Sequence, residues 1–238
     1  MSILDKYKPA PSKGLFSLIT ALRLGGKSTL AGTLPGKTAY VQAAWRETGR
    51  ESAVKLSEKL GNNITCAEFE NLVDLDKIIN EVIASKEFDH LYIDGLTAIS
   101  HQVGDLPQVD AIMNRDQWKG FAEVNKHMAS FIRNLKQVSV KTDMNIFLTL
   151  ALKYEANKAG LMEMTPDCYG KAYLSLFTGM GPAVLAVNNY IDENGEAQHE
   201  LITKSDGMYS ARIDSILTED NPGKIRPASL ATVLELVK

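Results

Sequence analysis

Short apolar runs alternate with amphipathic stretches along most of the chain. Leu15-Phe16-Ser17-Leu18-Ile19-Thr20, Thr38-Ala39-Tyr40-Val41-Gln42-Ala43, His90-Leu91-Tyr92-Ile93-Asp94, Asn145-Ile146-Phe147-Leu148-Thr149-Leu150 and Val184 to Val187 are compact and nearly continuous in hydrophobicity. Runs of that length predict strands buried on both faces. Ile64 to Phe69 reads as a weaker strand. Between the runs the period lengthens. A helix is predicted from Lys27 to just before Pro35-Gly36, a second from Glu51 to Leu60 with Gly61 as its stop, and a third over Leu75 to Ala84. The most regular helix comes next. Trp118, Phe121, Val124, Met128, Phe131, Ile132, Leu135 and Val138 recur at steps of three and four, so all of them, Trp118 and Phe121 included, are expected to pack on the core.

A turn at Asp192-Glu193-Asn194-Gly195 joins Asn188–Ile191 to Gln198–Thr203 and predicts a hairpin. Pro227 precedes a short terminal helix, Ala228 to Val237. Strands alternating with helices in this order imply an α/β fold: a mostly parallel central sheet covered on both faces, with a C-terminal antiparallel hairpin. Residues 1–12, with Pro9 and Pro11, read as an extended arm, and 13–238 as one domain. The longest predicted loops are His101–Asp116 and Lys153–Lys171.

Composition narrows the classes. The 238 residues carry a formal charge of −3, which argues against a protein that holds nucleic acid by bulk positive charge. Cys66 and Cys168 form no C-x-x-C pair, so neither a disulfide framework nor a zinc site is expected. The stretch Met1-Ser2-Ile3-Leu4-Asp5-Lys6 lacks the apolar core of a signal peptide, and no run approaches a membrane span. A cytoplasmic protein without membrane contact is expected.

The chemistry concentrates in Gly25-Gly26-Lys27-Ser28-Thr29, set between a buried strand and a helix. Glycines let the backbone wrap a phosphate, amides at a helix N-terminus face it, Lys27 adds a charge and the Ser28 hydroxyl suits Mg²⁺. Asp94 ends an apolar strand, where a carboxylate orienting that metal belongs.

Lys13 to Leu34, Phe88 to Thr97, and Pro166-Asp167-Cys168-Tyr169-Gly170-Lys171-Ala172 together resemble the phage-encoded RecA-like ATPases, some of which act as single-strand annealing recombinases. The resemblance spans residues 13 to 235 or so. It implies a three-layer RecA-like P-loop fold and ATP with Mg²⁺ as cofactors, held by Gly25, Gly26, Lys27, Ser28, Thr29 and Asp94, with Ser28 and Asp94 on the metal. It further implies a homo-oligomer acting on single-stranded DNA beside phage recombination or replication proteins, in the host cytoplasm. Lys204 and Arg212 stand where such assemblies send basic fingers to a neighbouring subunit.

The chain departs from that pattern at three strand ends. The first glycine of G-x-x-x-x-G-K-[ST] falls on Ala21, where positive φ would be strained, and Leu22-Arg23-Leu24 are bulky for a phosphate loop. The base position after the second strand falls on Ala44, which leaves Lys27 and Glu47, three residues late, as the catalytic candidates. The fourth strand ends in Ala151-Leu152, where the family places a polar sensor. Two functions follow: an ATP-binding protein in phage DNA recombination or replication whose hydrolysis is weak or lost, or a non-catalytic ligand-binding module on a RecA-like frame with a more apolar pocket.

Overall fold

The computed structural model describes residues 14–45, 49–157, 159–180, 183–206, 208–214 and 219–237. Six strands form a parallel core in the order β7-β1-β5-β4-β2-β3: β1 (Phe16–Leu22), β2 (Lys37–Ala43), β3 (Asn63–Phe69), β4 (His90–Asp94), β5 (Asn145–Ala156) and β7 (Ala183–Ile191). Four more pair antiparallel at the margins. β6 (Met162–Pro166) pairs with β5, β8 (Ala197–Ile202) and β9 (Arg212–Ile213) with β7, and β10 (Lys224–Ile225) with β8. The mostly parallel α/β sheet and its antiparallel C-terminal hairpin are as the apolar pattern predicts. The arm over 1–12 lies outside the described residues.

Both faces of the sheet are apolar because successive strand residues point to opposite sides. Phe16, Leu18, Val41, Leu91, Ile93, Ile146, Leu148 and Leu150 bury one way, against α3 (Leu72–Ser85), α4 (Leu96–Gly104), α6 (Gln117–Lys141) and α7 (Ser175–Met180). Ile19, Tyr40, Tyr92, Phe147, Leu185 and Leu201 bury the other way, against α1 (Lys27–Leu30), Ala53 of α2 (Arg50–Leu60), and α8 (Leu230–Leu236). Each fully buried aliphatic side chain contributes about 2 kcal/mol of transfer free energy. On this second face Tyr40, Tyr92 and Phe147 sit in register on β2, β4 and β5, with ring centroids 5.7 and 6.2 Å apart. That aromatic row lies directly beneath the site.

Local signals place the helices. Asn71 caps α3 by accepting from the Val73 and Asp74 amides, and Asp116 caps α6 by accepting from Trp118 and Lys119. Gly61, at φ 72°, ends α2. Two predicted loops are structured. Within 101–116, α4 gives way to α5 (Pro107–Met113), which starts on a proline suited to a first helical turn and buries Val109. Within 153–171, β5 runs on to Ala156 and folds back through β6 as a projecting hairpin.

The first turn of the predicted helical face departs: Phe121 is half-buried and packs outside the core cluster. Trp118 is 82% exposed, while Val124, Met128, Ile132 and Leu135 are buried as expected. The first turn of α6 meets α5 through Gly120, where a β-carbon would stand 2.6 Å from that of Met113, and this close approach turns Trp118 outward. Its ring meets Phe121 edge-on, and Phe121 to Tyr169 and Tyr169 to His101 continue the series at tilted angles. Among the described residues no helix is long and apolar enough to cross a membrane.

His90 adds a pH dependence to this core. Its Nε2 donates to the Pro35 carbonyl at 2.6 Å and its Nδ1 accepts from Asn145 Nδ2 at 3.0 Å, a pattern only the neutral ring can make. Burial, partly offset by the Pro35 bond, pushes its pKa below the ordinary 6.5. The unfolded chain therefore binds a proton that the folded chain refuses, and stability present above 6.5 is lost as pH falls below it. Urea midpoints should drop between neutral and mildly acidic pH, and His90→Gln should flatten that drop. An equal acid slope in the variant would remove His90 as its source.

Candidate functional site

The carboxyl ends of parallel strands form the crevice where α/β sheets bind ligands, and the glycine loop sits there, between β1 and α1. β1 runs past Ala21, which is buried and paired with Ala151, and the strain anticipated at Ala21 is absent. The chain reverses later, in a turn closed by the Gly25 amide donating to the Leu22 carbonyl at 3.0 Å. The positive φ falls on Leu24, at 60°. An L-residue costs about 1–2 kcal/mol in that conformation. The Leu24 side chain stands 94% exposed, so it does not fill the bend.

What the bend encloses is a half-open cavity of about 400 Å³ lined by Arg23 to Thr29 along the loop. Gly49 and Ser52 of the α2 entry, Ala151 of β5 and His199 of β8 complete the wall. The first intrahelical bond runs from the Leu30 amide to the Gly26 carbonyl, so the amides of Lys27, Ser28 and Thr29 precede it and are left without helical partners. α1 is only four residues long and passes into a 3₁₀ turn over Ala31–Thr33. A helix that short has a small macrodipole, so individual amides, not a long-range dipole, are the anion-binding element here.

Lys27 is only 9% exposed, and its Nζ lies 3.5 Å from the Leu22 carbonyl oxygen. No carboxylate among the described residues forms an ion pair with it. A buried ammonium without a counter-charge is an unfavourable arrangement that an incoming anion would relieve.

Under the loop, Asp94 is fully buried at the end of β4. Its Oδ2 accepts from Ser28 Oγ and, at 2.7 Å, from the Tyr40 hydroxyl; its Oδ1 accepts from Thr149 Oγ1 at 2.5 Å. Three hydroxyls from α1, β2 and β5 thus fix one carboxylate. Burial first, and the Asp94 charge second, push the Tyr40 hydroxyl far above its ordinary pKa, so it stays a donor. Tyr92 donates to the Lys27 carbonyl, and burial raises its pKa in the same direction. The aromatic row therefore pins the loop through two hydroxyls, one on Lys27 and one on the acid beneath Ser28.

The loop residues Gly25, Gly26, Lys27, Ser28 and Thr29 and the strand-end acid Asp94 come together as one assembly. Ala44 is exposed outside the cavity, and Glu47 lies outside the described residues. Among the described residues that line the cavity there is no carboxylate. The nearby acid Glu68 of β3 is held by Gln42 at 2.9 Å and Arg50 at 3.1 Å. Arg212 bonds Asp214 and the Phe177 carbonyl. Sequence reasoning missed Tyr40, Tyr92 and Thr149. The available signal was tyrosine where a strand buried on both faces would otherwise take phenylalanine, since a buried hydroxyl requires a partner.

The set suits a polyphosphate with Mg²⁺. Open amides, one buried cation and a cavity of this volume match the phosphates. Ser28 Oγ can offer a lone pair to a metal while still donating to Asp94, whose three hydroxyl partners leave it orienting Ser28. No cluster of three His, Cys, Asp or Glu occurs among the described residues, and Mg²⁺ commonly binds through few protein oxygens, completing its shell with phosphate and water. Comparison with protein-family models and with curated proteins finds no match.

Proposed function

We infer that this chain is a RecA-like P-loop protein that binds the triphosphate of ATP, with Mg²⁺, in the cavity over Lys27. The observation that carries this reading is the buried Lys27 ammonium, without a carboxylate partner among the described residues, beside three amides without helical partners and a Ser28 hydroxyl anchored on Asp94. In this reading Lys27 would neutralise phosphate charge, the amides of the glycine loop would cradle the phosphates, and Ser28 would hold the metal. Mg²⁺ supplies charge neutralisation and orientation of the terminal phosphate.

Binding is favoured over turnover. No carboxylate stands on the described cavity wall to act as a base, and Glu47, outside the described residues, is the candidate for one. A part in phage recombination or replication, as a homo-oligomer on single-stranded DNA, rests on the resemblance of the three segments. The exposed Trp118 ring and its neighbours Phe121 and Tyr169 support the DNA part, since exposed aromatic rings stack on bases regardless of sequence.

Titrating a fluorescent ATP analogue with and without Mg²⁺ tests the reading. The expected result is saturable binding, on the order of micromolar and tightened by Mg²⁺. A flat titration in both conditions overturns it. Phosphate release, assayed with and without single-stranded DNA, then separates binder from ATPase.

A further inference from the structure

His199 is a cavity residue that the phosphate-loop pattern does not call for. It lies on β8 opposite Asn189 of β7, and its Nδ1 is 2.7 Å from Asn189 Oδ1. The amide oxygen only accepts, so Nδ1 carries a hydrogen, and Nε2 has no hydrogen-bond partner among the described residues. The face of the ring lies over Gly26: a β-carbon there would stand 2.7 Å from both Nε2 and Cδ2, and 2.8 Å from Cε1. Gly26 thus meets two demands at once, a positive φ of 82° and room for an imidazole. Gly26 and His199 both line the cavity.

We propose that His199 is a further anion-binding residue of this site, taking up a proton at Nε2 when phosphate arrives and donating that N–H to a phosphate oxygen. The inference rests on the phosphate reading of the cavity. The proton comes from solvent and no covalent bond changes. Among the described residues the charged groups lining the cavity are Lys27 and Arg23, both cations, with Arg23 paired to Asp167 at 3.0 Å. From β7 the ring meets the neutral Asn189; from α1, α2 and β5 the cavity presents Ser28, Thr29, Ser52 and Ala151, also neutral. The next residue on β8, Glu200, points to the other face of the sheet, where Lys224 and Arg226 hold it. Among the described residues lining the cavity no group carries negative charge, and a bound phosphate would supply one beside the ring.

The test is calorimetric titration of the full chain with inorganic tripolyphosphate at pH values of about 6 and about 8, each in two buffers of different ionisation enthalpy. Terminal phosphates themselves titrate near pH 6, so the informative quantity is the difference between wild type and His199→Gln. Wild type should gain roughly tenfold more affinity on acidification than the variant, with proton uptake that the variant lacks. His199→Lys, with its charge fixed, should bind tightly at both pH values. Equal pH slopes and equal proton uptake in wild type and His199→Gln, with tripolyphosphate bound by both, would overturn the role of His199 and leave the phosphate site standing. Failure of wild type to bind tripolyphosphate at either pH removes the site itself, and this inference with it.

Discussion

Lys27→Ala lowers the affinity for a fluorescent ATP analogue by on the order of 100-fold, about 3 kcal/mol, without lowering stability. The ammonium is buried beside the cavity with a carbonyl at 3.5 Å and no carboxylate among the described residues, so the unliganded fold gains little from it. A charge-assisted bond to a desolvated phosphate has no substitute once the ammonium is gone. Urea unfolding of the unliganded variant should match or exceed wild type, because a buried, uncompensated cation has been removed. Unchanged nucleotide affinity in the variant would remove the assignment of the cavity. A large loss of stability would mean that Lys27 serves the fold first.

The second large effect concerns Asp94. Asp94→Ala strands three hydroxyl donors, from Ser28, Tyr40 and Thr149, at the centre of the molecule. An orphaned buried polar group costs about 1–3 kcal/mol, and part of this is relieved as hydroxyls rotate toward other acceptors, so the expected loss is on the order of 3–5 kcal/mol. Asp94→Asn keeps one acceptor oxygen and most of the volume, and should lose about half as much. The two variants also separate stability from function: the asparagine form should fold, retain nucleotide, and lose most of the tightening by Mg²⁺. A loss under about 1 kcal/mol in Asp94→Ala, read from urea midpoints, would contradict the three-donor arrangement.

How much of this was legible depends on whether burial is two-sided. β1, β2, β4 and the first half of β5 are covered on both faces, and their sequences are correspondingly near-continuous in apolar residues. The β5–β6 hairpin is different. Lys153, Tyr154, Glu155 and Ala156 are exposed and carry no apolar period, so nothing in the sequence separates that ribbon from a loop; its order comes from backbone pairing with β6. The α6 period was legible but its end was not, because a glycine, Gly120, determines which side of the first turn meets α5. At the site, the letters gave the loop and the acid. They did not give the turn, since closing Leu22 on Gly25 with Leu24 at positive φ moves the strained position three residues from where the motif's spacing put it.

The unbroken course of β5 has a mechanical result. One twelve-residue strand passes beside Asp94 at Thr149 and continues to Ala156 at the base of the exposed tip. At about 3.3 Å per residue that is a strut of roughly 20 Å, stiff along its own axis. The buried acid and the exposed ribbon therefore sit along one uninterrupted stretch of backbone.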